Sequence, residues 1–511
     1  MSLTIGGIDP ARHNEMALAD ERVSLNWQQL DSLLNRAANA LAGLAFVERR
    51  VAVFAPNSAE TVIAYVACLE AGISSVPVSF HLTPSEAAYI FRDSGAVAIL
   101  VGPETMAAGL AAAAEAGVTT VIGWRCPDTP GLIHWEDWIA AASDMEPDPT
   151  VPPLPHLHYT SGTTGRPKAT ETPPQYFPRL PTVQALAESV RARITPSPGI
   201  AVGPLYHTGP LGMARNVFGG MSLITVAHFD AEKALALIET HKVKGSVMVP
   251  THFQRLLALP AEVRERYDVS SIQRLAHTGA ACPRGVKQAM IDWFGPVLVE
   301  AYGGTEAGST TFITSQEWLE RPGSVGKALA PFETVIYGDD GQLLGAGEVG
   351  LVYFRDTSGH GIVYRGDPEK TAAAHIAPGV FTLGEMGYVD ADGYLFITDR
   401  VSDMIVSGGV NIYPAESEQV LLRHPKVADI AVVAAPNPEM GEEARALVIP
   451  LNPADPPSAE ELNAFCRASL ASYKCPRGYE MVDDIGRTVM GKVNKKALRQ
   501  RFWPSDRTIG G

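Results

Sequence analysis

Strand-like and helix-like segments alternate through the first third of this 511-residue chain, and that pattern restricts the fold more than any other sequence feature. Residues 51–55 and 74–78 are apolar runs, and residues 59–71 between them have helical spacing. Residues 83–86, Thr-Pro-Ser-Glu, supply an N-cap hydroxyl, a proline at the first helical position and a capping-box glutamate, and a further strand is expected at 96–101. This βαβαβ order predicts a mostly parallel sheet with helices on both faces.

The alternation returns after residue 200, and a different texture follows it. Asp230 is a candidate N-cap for a helix over 231–241, and a strand at 246–249 comes next, which predicts a second wound sheet. From about residue 348, short strand-like pieces separated by glycine turns indicate an antiparallel sheet or a small barrel. We therefore expect an α/β protein whose large N-terminal domain holds two doubly wound sheets and a small β-barrel-like subdomain. The last part, about 110 residues, is expected to form a small α+β domain.

The charge balance excludes one broad class of partner. The formal net charge is -15 at pH 7, whereas a nucleic-acid surface needs lysine and arginine gathered on one face. No apolar run approaches the roughly 18 residues of a membrane span, and residues 1–16 lack a basic segment followed by an apolar one, so we expect a cytoplasmic protein. The five cysteines include no C-x-x-C pair, so neither a disulfide framework nor a zinc site is indicated.

Residues 159–168, Tyr-Thr-Ser-Gly-Thr-Thr-Gly-Arg-Pro-Lys, are the most specific short segment of the chain. Its glycines can turn backbone N–H groups into an anion-binding nest, and its hydroxyls and lysine can donate to phosphate oxygens. The spacing differs from that of P-loop kinases and GTPases, because the lysine does not directly follow a glycine. On composition alone a flexible turn is equally open. The candidate phosphate contacts are Thr160, Ser161, Gly162, Thr163, Thr164, Gly165 and Lys168.

This loop resembles the signature of the adenylate-forming (ANL) superfamily of acyl-CoA synthetases, peptide-synthetase adenylation domains and luciferases. Three further segments resemble that family in the same order along the chain: residues 302–306 its adenine and magnesium segment, 399–403 its hinge, and 491–492 its C-terminal catalytic lysine. Ordered matches carry more weight than any single short motif. The resemblance covers nearly the whole chain. It implies an N-terminal domain over 1–399 that binds ATP and the acyl group, a hinge at 400–403 and a mobile C-terminal lid over 404–511.

The resemblance also implies the reaction, an ATP-dependent carboxylic acid:CoA ligation that uses ATP, Mg²⁺ and CoA. In this family a carboxylate attacks the α-phosphorus of ATP, pyrophosphate leaves, and a thiol then attacks the acyl-adenylate. Because the first step brings two anions together, cations and hydrogen-bond donors must surround the phosphoryl oxygens. Lys492 is expected to bridge the acyl carboxylate and the α-phosphate. Without the resemblance, a solvated lysine in a basic tail would be the ordinary interpretation.

The other nucleotide contacts are implied in the same way. Glu306 matches the Mg²⁺ position, since a cation that bridges phosphates takes only one or two protein carboxylates. Tyr302 is expected to stack on the adenine ring. Where relatives carry an aspartate for the ribose, this chain has Glu385, which reaches one methylene further. For Arg400, a ribose or phosphate contact and a surface ion pair both stay open. The remaining expected contacts are Gly279, Ala280, Ala281, Gly303 and Thr305.

Relatives turn the C-terminal domain about the hinge between the two half-reactions. The pivot position, usually Asp or Lys, is Ser402 here. Turning the domain would withdraw Lys492 and present residues 407–411, whose glycines permit close approach of a pantetheine arm. The expected CoA contacts are Ser407, Gly408, Gly409, Lys474 and Arg477.

The acid itself is constrained only broadly. His207, in a Pro-Leu-Tyr-His-Thr-Gly segment, resembles the family's gate at the mouth of the acyl pocket, and no aspartate that would hold an amino group is evident. We therefore expect a fatty, aromatic or steroid-like acid, and with it a role in fatty acid or lipid metabolism. The residues expected near the acyl chain are Val249, His252, Gly279, Cys282 and Thr310.

Two rival functions stay open at this stage. An acyl-AMP ligase would perform the same adenylation and load a carrier protein in place of CoA. A catalytically degenerate adenylate-binding protein would account for the departures from the family pattern at Ala169, Glu385, Ser402 and Gly486. The retained lysines and carboxylates of the site argue against it. The sequence leaves the oligomeric state open, a homodimer included.

Overall fold

The computed structural model describes most of the chain: residues 3–160, 167–170, 172–174, 176–338, 340–400, 403–407, 410–437, 440–470, 472–488 and 491–503. Within these ranges no helix is both long enough and apolar enough to cross a membrane. Besides the helices and strands named below, short 3₁₀ turns occur at Ile5–Gly7, Pro10–Arg12 and Ser472–Lys474.

The predicted βαβαβ pattern of the first third is confirmed. Strands pair in parallel in the order β4-β3-β5-β6-β7, and the capping box of α3 forms between Thr83 and Glu86 as the sequence indicates. The elements are β1 (Met16–Ala19), β2 (Ser24–Asn26), α1 (Trp27–Ala42), β3 (Arg50–Phe54), α2 (Ala59–Glu70), β4 (Ser74–Pro77), α3 (Pro84–Ser94), β5 (Ala98–Val101), α4 (Met106–Ala116), β6 (Thr120–Gly123), β7 (Leu132–His134) and α5 (Trp135–Ala140).

The second wound sheet is confirmed as well, and Asp230 caps α8 as predicted. Its strand order is β16-β15-β14-β13-β12-β10-β11-β1-β2, parallel from β14 to β1. The elements along this part of the chain, where β8 and β9 form a separate hairpin, are β8 (His158–Thr160), β9 (Lys168–Thr170), α6 (Val183–Arg191), β10 (Gly199–Ala201), α7 (Thr208–Phe218), β11 (Leu223–Thr225), α8 (Ala231–His241), β12 (Gly245–Met248), α9 (Pro250–Leu257), α10 (Ala261–Arg264), β13 (Arg274–His277), α11 (Arg284–Phe294), β14 (Leu298–Gly304), β15 (Gly308–Thr314), α12 (Ser315–Glu320) and β16 (Lys327–Ala328).

The change of texture predicted near residue 348 corresponds to an antiparallel sheet. The sheet runs β17-β18-β20-β19, with β21 added on β20, and it begins at Phe332, earlier than the glycine-turn pattern suggests. The elements are β17 (Phe332–Tyr337), β18 (Gly350–Asp356), α13 (Pro368–Ala373), β19 (His375–Ala377), β20 (Val380–Val389) and β21 (Leu395–Arg400).

The tail forms a separate α+β unit, as predicted. Its sheet runs β23-β22-β25-β24, with β26 parallel to β25, and its apolar clusters are built from residues between 405 and 502. The elements are β22 (Ile405–Ser407), β23 (Val410–Ile412), α14 (Pro414–Leu421), β24 (Val427–Asn437), β25 (Gly441–Pro450), α15 (Ala459–Arg467), β26 (Gly478–Met481) and α16 (Lys495–Gln500). The boundary predicted at 400–403 stays a prediction, because residues 401–402 lie outside the described residues.

The two parallel sheets share a central layer of helices. In β3, Val51 and Val53 pack with α1, α2 and α7, whereas Ala52 and Phe54 pack with α3 and α4. In the other sheet, Ala201 joins the same central cluster, and Ile200 packs with α8, α9 and α11 on the opposite face. Strands buried on both faces are the mark of parallel sheets between helix layers. The order is therefore helix, sheet, helix, sheet, helix.

One buried amide fastens the two sheets together beside the segment that leads to His207. Asn57 follows β3 and is 5% exposed. Its Nδ2 donates to the Gly203 carbonyl oxygen at 2.9 Å, and its Oδ1 accepts from the Leu205 N–H at 2.8 Å. A buried backbone group without a partner costs free energy, so this pair of bonds fixes the loop that follows β10.

We expect Asn57→Leu to lower the free energy of unfolding by about 2–5 kcal/mol, because it leaves a buried carbonyl and a buried N–H without partners. Urea titration followed by tryptophan fluorescence measures the loss, since Trp27, Trp124 and Trp135 lie in the core that Asn57 borders. The exposed Asn14 serves as the matched control, and Asn14→Leu should leave the midpoint in place. Equal stability of Asn57→Leu and the wild type would contradict this account.

Candidate active site

Loops at the carboxyl ends of β10, β12, β13 and β14 meet along one edge of the larger sheet. These strands are parallel neighbours, so the residues that follow them lie side by side. The edge therefore carries His207, Thr251, residues 278–281 and the hairpin turn at 305–307. It is the place where ligands bind in wound α/β sheets, and it joins segments that are distant in sequence.

The predicted magnesium residue, Glu306, lies at the tip of the β14–β15 hairpin. The Tyr364 hydroxyl donates to Glu306 Oε1 at 2.8 Å. The other oxygen, Oε2, lies above Gly304, where a Cβ would be 3.0 Å from it. Gly303 has no room for a side chain because the Gly308 carbonyl lies against it. The strand thus needs glycine here, and the carboxylate keeps one oxygen clear of the tyrosine. A single carboxylate of this kind suits Mg²⁺ shared with phosphates.

The predicted ribose residue, Glu385, lies on β20 and is 6% exposed. Tyr302, the predicted adenine contact, donates its hydroxyl to Glu385 Oε2 at 2.7 Å. Burial raises the pKa of Tyr364, and the carboxylates of Glu306 and Glu385 raise it further. Both carboxylates are therefore near this tyrosine, on one wall of the cleft. Arg400 pairs with Glu385 across the β20–β21 ladder; its side chain lies outside the description.

The predicted phosphate loop is described only at its base. Residues 161–166 lie outside the described residues, as does the Thr160 side chain. Strands β8 and β9 form an antiparallel hairpin on either side of the loop, and Thr170 bridges to Tyr364. Lys168 Nζ lies 2.9 Å from Asp367 Oδ2. The hairpin therefore brings the base of the loop beside the tyrosine that holds Glu306.

The predicted adenine shelf follows β13. Gly279 has a φ of +86°, which glycine adopts without strain, and residues 279 and 281 are exposed at the sheet edge. Thr305 lies in the adjacent hairpin turn. Small side chains leave this edge open to a flat ligand.

The predicted catalytic lysine reaches this edge from the C-terminal unit. A β-bridge joins Arg487 to Val493, and the guanidinium of Arg487 donates to Asp429 Oδ1 at 2.7 Å and to the Gly491 carbonyl oxygen at 2.6 Å. Gly491, with a φ of +74°, lies so close to Thr251 Oγ1 that a Cβ would clash. These contacts of Arg487 hold the hairpin that carries Lys492 next to α9.

His207 and Lys492 are close enough to interact. Burial, followed by the positive charge of Lys492, lowers the pKa of His207 to about 3. The Nε2 atom of His207 is buried and has no hydrogen-bond partner among the described residues. At neutral pH the imidazole is therefore uncharged, and it can offer a hydrogen bond to a ligand at the start of α7.

The predicted CoA contacts are only partly brought together. Ser407 is 5% exposed on β22, and Gly408 and Gly409 lie outside the described residues, as does the pivot Ser402. Lys474 Nζ lies 2.7 Å from Glu416 Oε2, so its charge is already matched. Arg477 is exposed at the start of β26.

A cavity lies beside α7. Its volume is about 630 Å³, and its walls come from α6, α7, β12 and β13. Of the residues expected near the acyl chain, none is among its described lining. His252 instead packs against Phe229, with ring centroids 4.3 Å apart, and burial raises the pKa of the Cys282 thiol. The acyl pocket expected at these residues therefore stays a prediction.

Several site residues escaped the sequence analysis. Tyr364 and Asp367 hold Glu306 and Lys168 from 58 and 199 positions away, and Arg487 and Asp429 clamp the lysine hairpin from the C-terminal unit. The only local signal was Asp367 before Pro368, which is typical of a helix N-cap. Long-range partners leave no spacing pattern in the sequence.

Two family models match this chain, and several known proteins are similar to it. The model of the AMP-binding enzyme family matches residues 10–362, and that of the AMP-binding enzyme C-terminal domain matches residues 416–492. The chain is 32% identical over 513 residues to a 3-[(3aS,4S,7aS)-7a-methyl-1,5-dioxo-octahydro-1H-inden-4-yl]propanoyl:CoA ligase of Rhodococcus jostii (95% of both chains). It is 31% identical over 506 residues to the fatty acid–[acyl-carrier-protein] ligase ScoC of Streptomyces coeruleorubidus (95% and 93%). ATP-bound MatB of Rhodopseudomonas palustris is similar in structure, with a TM-score of 0.81, 26% identity and coverage of 98% and 99%.

Buried neutral histidines make stability depend on pH. Burial lowers the pKa of His158, His252 and His277 to about 4, and that of His207 to about 3. Unfolding restores the ordinary pKa near 6.5, so below that pH the unfolded chain binds protons that the folded chain does not. Stability should fall as the pH drops from about 7 to about 4, by about 1.4 kcal/mol per pH unit for each such histidine.

Thermal unfolding between pH 7.5 and pH 4.5 measures this effect. His252→Gln should flatten the decline, because it removes one buried titrating ring. His360→Gln, at an exposed position, should follow the wild type. A melting temperature that stays constant over the range would contradict the neutral state of these rings.

Proposed function

The chain belongs to the AMP-binding enzyme family, and from this premise we propose that it is an ATP-dependent carboxylic acid:CoA ligase that forms an acyl-adenylate and then an acyl-CoA. The observation that carries the proposal is the meeting of the Lys492 hairpin with Thr251 and His207 at the carboxyl edge of the sheet. The same edge holds Glu306 and the base of the 161–166 loop. One cleft therefore brings a cation from the C-terminal unit beside the segments that we propose to bind the nucleotide.

In the first half-reaction a carboxylate oxygen bonds to the α-phosphorus of ATP, and the bond from that phosphorus to the pyrophosphate oxygen breaks. Lys492 would offset the repulsion between the carboxylate and the phosphate, which is how fixed cations accelerate phosphoryl transfer. Lys168 would serve the departing phosphates, exchanging Asp367 for a phosphate oxygen. Glu306 would hold Mg²⁺, which supplies positive charge to the phosphate oxygens.

The adenosine would be held between the shelf at residues 279–281 and Tyr302. Glu385 already accepts from the Tyr302 hydroxyl through Oε2, and it can accept from ribose hydroxyls through its remaining lone pairs. The neutral His207 would border the acyl carboxylate without adding a charge of its own. Uncharged imidazole suits this place, because a second cation beside Lys492 would compete for the same carboxylate.

In the second half-reaction the sulfur of CoA attacks the acyl carbon, and the bond to AMP breaks. The thiol proton goes to solvent, and a small thiolate fraction suffices for an activated acyl group. We propose that the C-terminal unit turns about residues 400–403 between the steps. Arg477 is the stronger candidate for the CoA phosphates, since Glu416 already neutralises Lys474.

A carrier protein is the second candidate acceptor, and the similarity to ScoC, a fatty acid–[acyl-carrier-protein] ligase, supports it.

The acid is fatty, aromatic or fused-ring in this proposal, in line with the apolar side chains that line part of the cavity beside α7. Catalysis in the cytoplasm and a homodimeric assembly remain parts of the proposal.

The reaction products test the function directly. Purified protein is incubated with ATP, Mg²⁺, CoA and a panel of fatty, aromatic and fused-ring acids, and nucleotides and thioesters are separated by chromatography. We expect AMP, pyrophosphate and acyl-CoA in equal amounts. ADP and orthophosphate would contradict the proposal. AMP without acyl-CoA, followed by acylation of an added carrier protein, would select the second acceptor.

The role of Lys492 separates the two half-reactions. Lys492→Ala should lower acid-dependent pyrophosphate release by about 100-fold or more, because one placed cation is worth that much in phosphoryl and acyl transfer. The variant should still convert a supplied acyl-adenylate and CoA to acyl-CoA. Lys496→Ala removes an exposed lysine from the adjoining helix and serves as the control. Equal loss of both half-reactions in Lys492→Ala would refute its separate role.

A further inference from the structure

The cavity beside α7 extends from the catalytic edge to the opposite edge of the sheet. Thr208, next to His207, lines one end, and Lys244, which precedes β12, and Arg274, the first residue of β13, line the other. The cavity therefore follows the full length of the parallel strands. A substrate whose carboxylate lies near His207 would direct its far end along α7.

Two glycines of α7 make the room for this passage. A Cβ on Gly209 would lie 3.2 Å from Val247 Cγ1, and a Cβ on Gly212 would meet nothing within 4 Å. Leu186, Leu211 and Val247 add apolar side chains to the lining. The passage can therefore accept a hydrocarbon body, as the proposed function requires.

Arg215 interrupts this apolar lining. It lies on the same helical face as Gly212, three residues on, and burial lowers the pKa of its guanidinium, with a further contribution from Arg193. One terminal nitrogen donates to the Tyr176 carbonyl oxygen. A guanidinium carries five donors, so this bond uses only a small part of its capacity.

The described residues that line the cavity around Arg215 carry several cations. The lining includes Arg193, Lys244 and Arg274, and no aspartate or glutamate is found among the described lining residues. His156, in the same wall, has a buried Nε2 without a hydrogen-bond partner in the described part of the chain. Arg215 is half-buried, and a cation drawn partly out of water is stabilised when an anion pairs with it, so the geometry favours an anionic group on the ligand.

We propose that Arg215 is a specificity residue that binds a second carboxylate on the substrate, so that the enzyme prefers dicarboxylic acids to monocarboxylic acids of equal length. The inference rests on the proposed function and names a substrate class for it. Arg215 lies seven residues beyond Thr208, about 10 Å along the helix axis. The second carboxylate is therefore separated from the activated one by a chain, and it pairs with the guanidinium in a bidentate manner.

Paired substrates test this preference. Straight-chain monocarboxylic and α,ω-dicarboxylic acids of roughly six to twelve carbons, a range set by the helix distance, are compared by kcat/KM for pyrophosphate release. We expect the wild type to favour the diacid at one or more lengths. Arg215→Met, which keeps the length of the side chain and removes its charge, should lower the ratio of diacid to monoacid kcat/KM by about 10- to 100-fold, mainly through KM.

The control is Arg266→Met, which removes an exposed arginine that lies outside the cavity, near Glu232. Its diacid to monoacid ratio should equal that of the wild type. A second measurement needs no turnover: the diacid should raise the melting temperature of the wild type more than the monoacid does, and Arg215→Met should abolish the difference.

The outcomes separate this proposal from the function itself. Monoacid turnover that exceeds diacid turnover at every length would overturn the specificity proposal and leave the ligase function standing. An equal fall for both acids in Arg215→Met would also overturn it, because that result indicates a structural role for the side chain. If no acid of either class releases pyrophosphate, the ligase function fails and the specificity proposal fails with it.

Discussion

The parallel pairing of β10, β12, β13 and β14 is the constraint on which the site depends. It places the ends of these strands at one edge, so that four loops distant in sequence contribute to one cleft. The central helix layer holds that sheet against the first one, and Asn57 ties the loop before His207 to both. Site residues on such an edge can be exposed while the strands that carry them are buried. The buried strands and the exposed site residues are therefore only a few positions apart in the sequence.

The electrostatics of the cleft follow from where its charges originate. Glu306 and Glu385 lie on one wall, and each accepts a hydrogen bond from a tyrosine hydroxyl, which orients the carboxyl group. Lys168 is paired with Asp367, the N-cap of α13, and this partner orients the lysine while it stays in contact with solvent. Phosphate carries more charge than one carboxylate, so it can displace Asp367 at little cost in desolvation. In this cleft the tyrosines therefore hold Glu306 and Glu385 in place, whereas Lys168 can exchange its partner Asp367 for a phosphate.

The sequence was most informative where a local rule decides the structure. The N-caps at Thr83 and Asp230, the alternation of the wound sheets and the order of the short motifs all predicted what the fold contains. It was least informative about contacts across the chain, such as Tyr364 with Glu306. The residues expected near the acyl chain stay a prediction, and none of them is found among the described lining of the cavity beside α7. Arg215 has no motif at all, and only the packing of α7 reveals it.

The departure at Gly486 illustrates how a local difference can support a shared mechanism. Where the family commonly has proline, Gly486 adopts a φ of +65°, which the proline ring forbids. The turn leads directly into Arg487, whose contacts with Asp429 and the Gly491 carbonyl close the hairpin that carries Lys492. A hairpin clamped to its own sheet moves with that sheet as one body. In the proposed rotation of the C-terminal unit, the lysine would leave the cleft together with its support, and the contact that would have to yield is the close approach of Gly491 to Thr251.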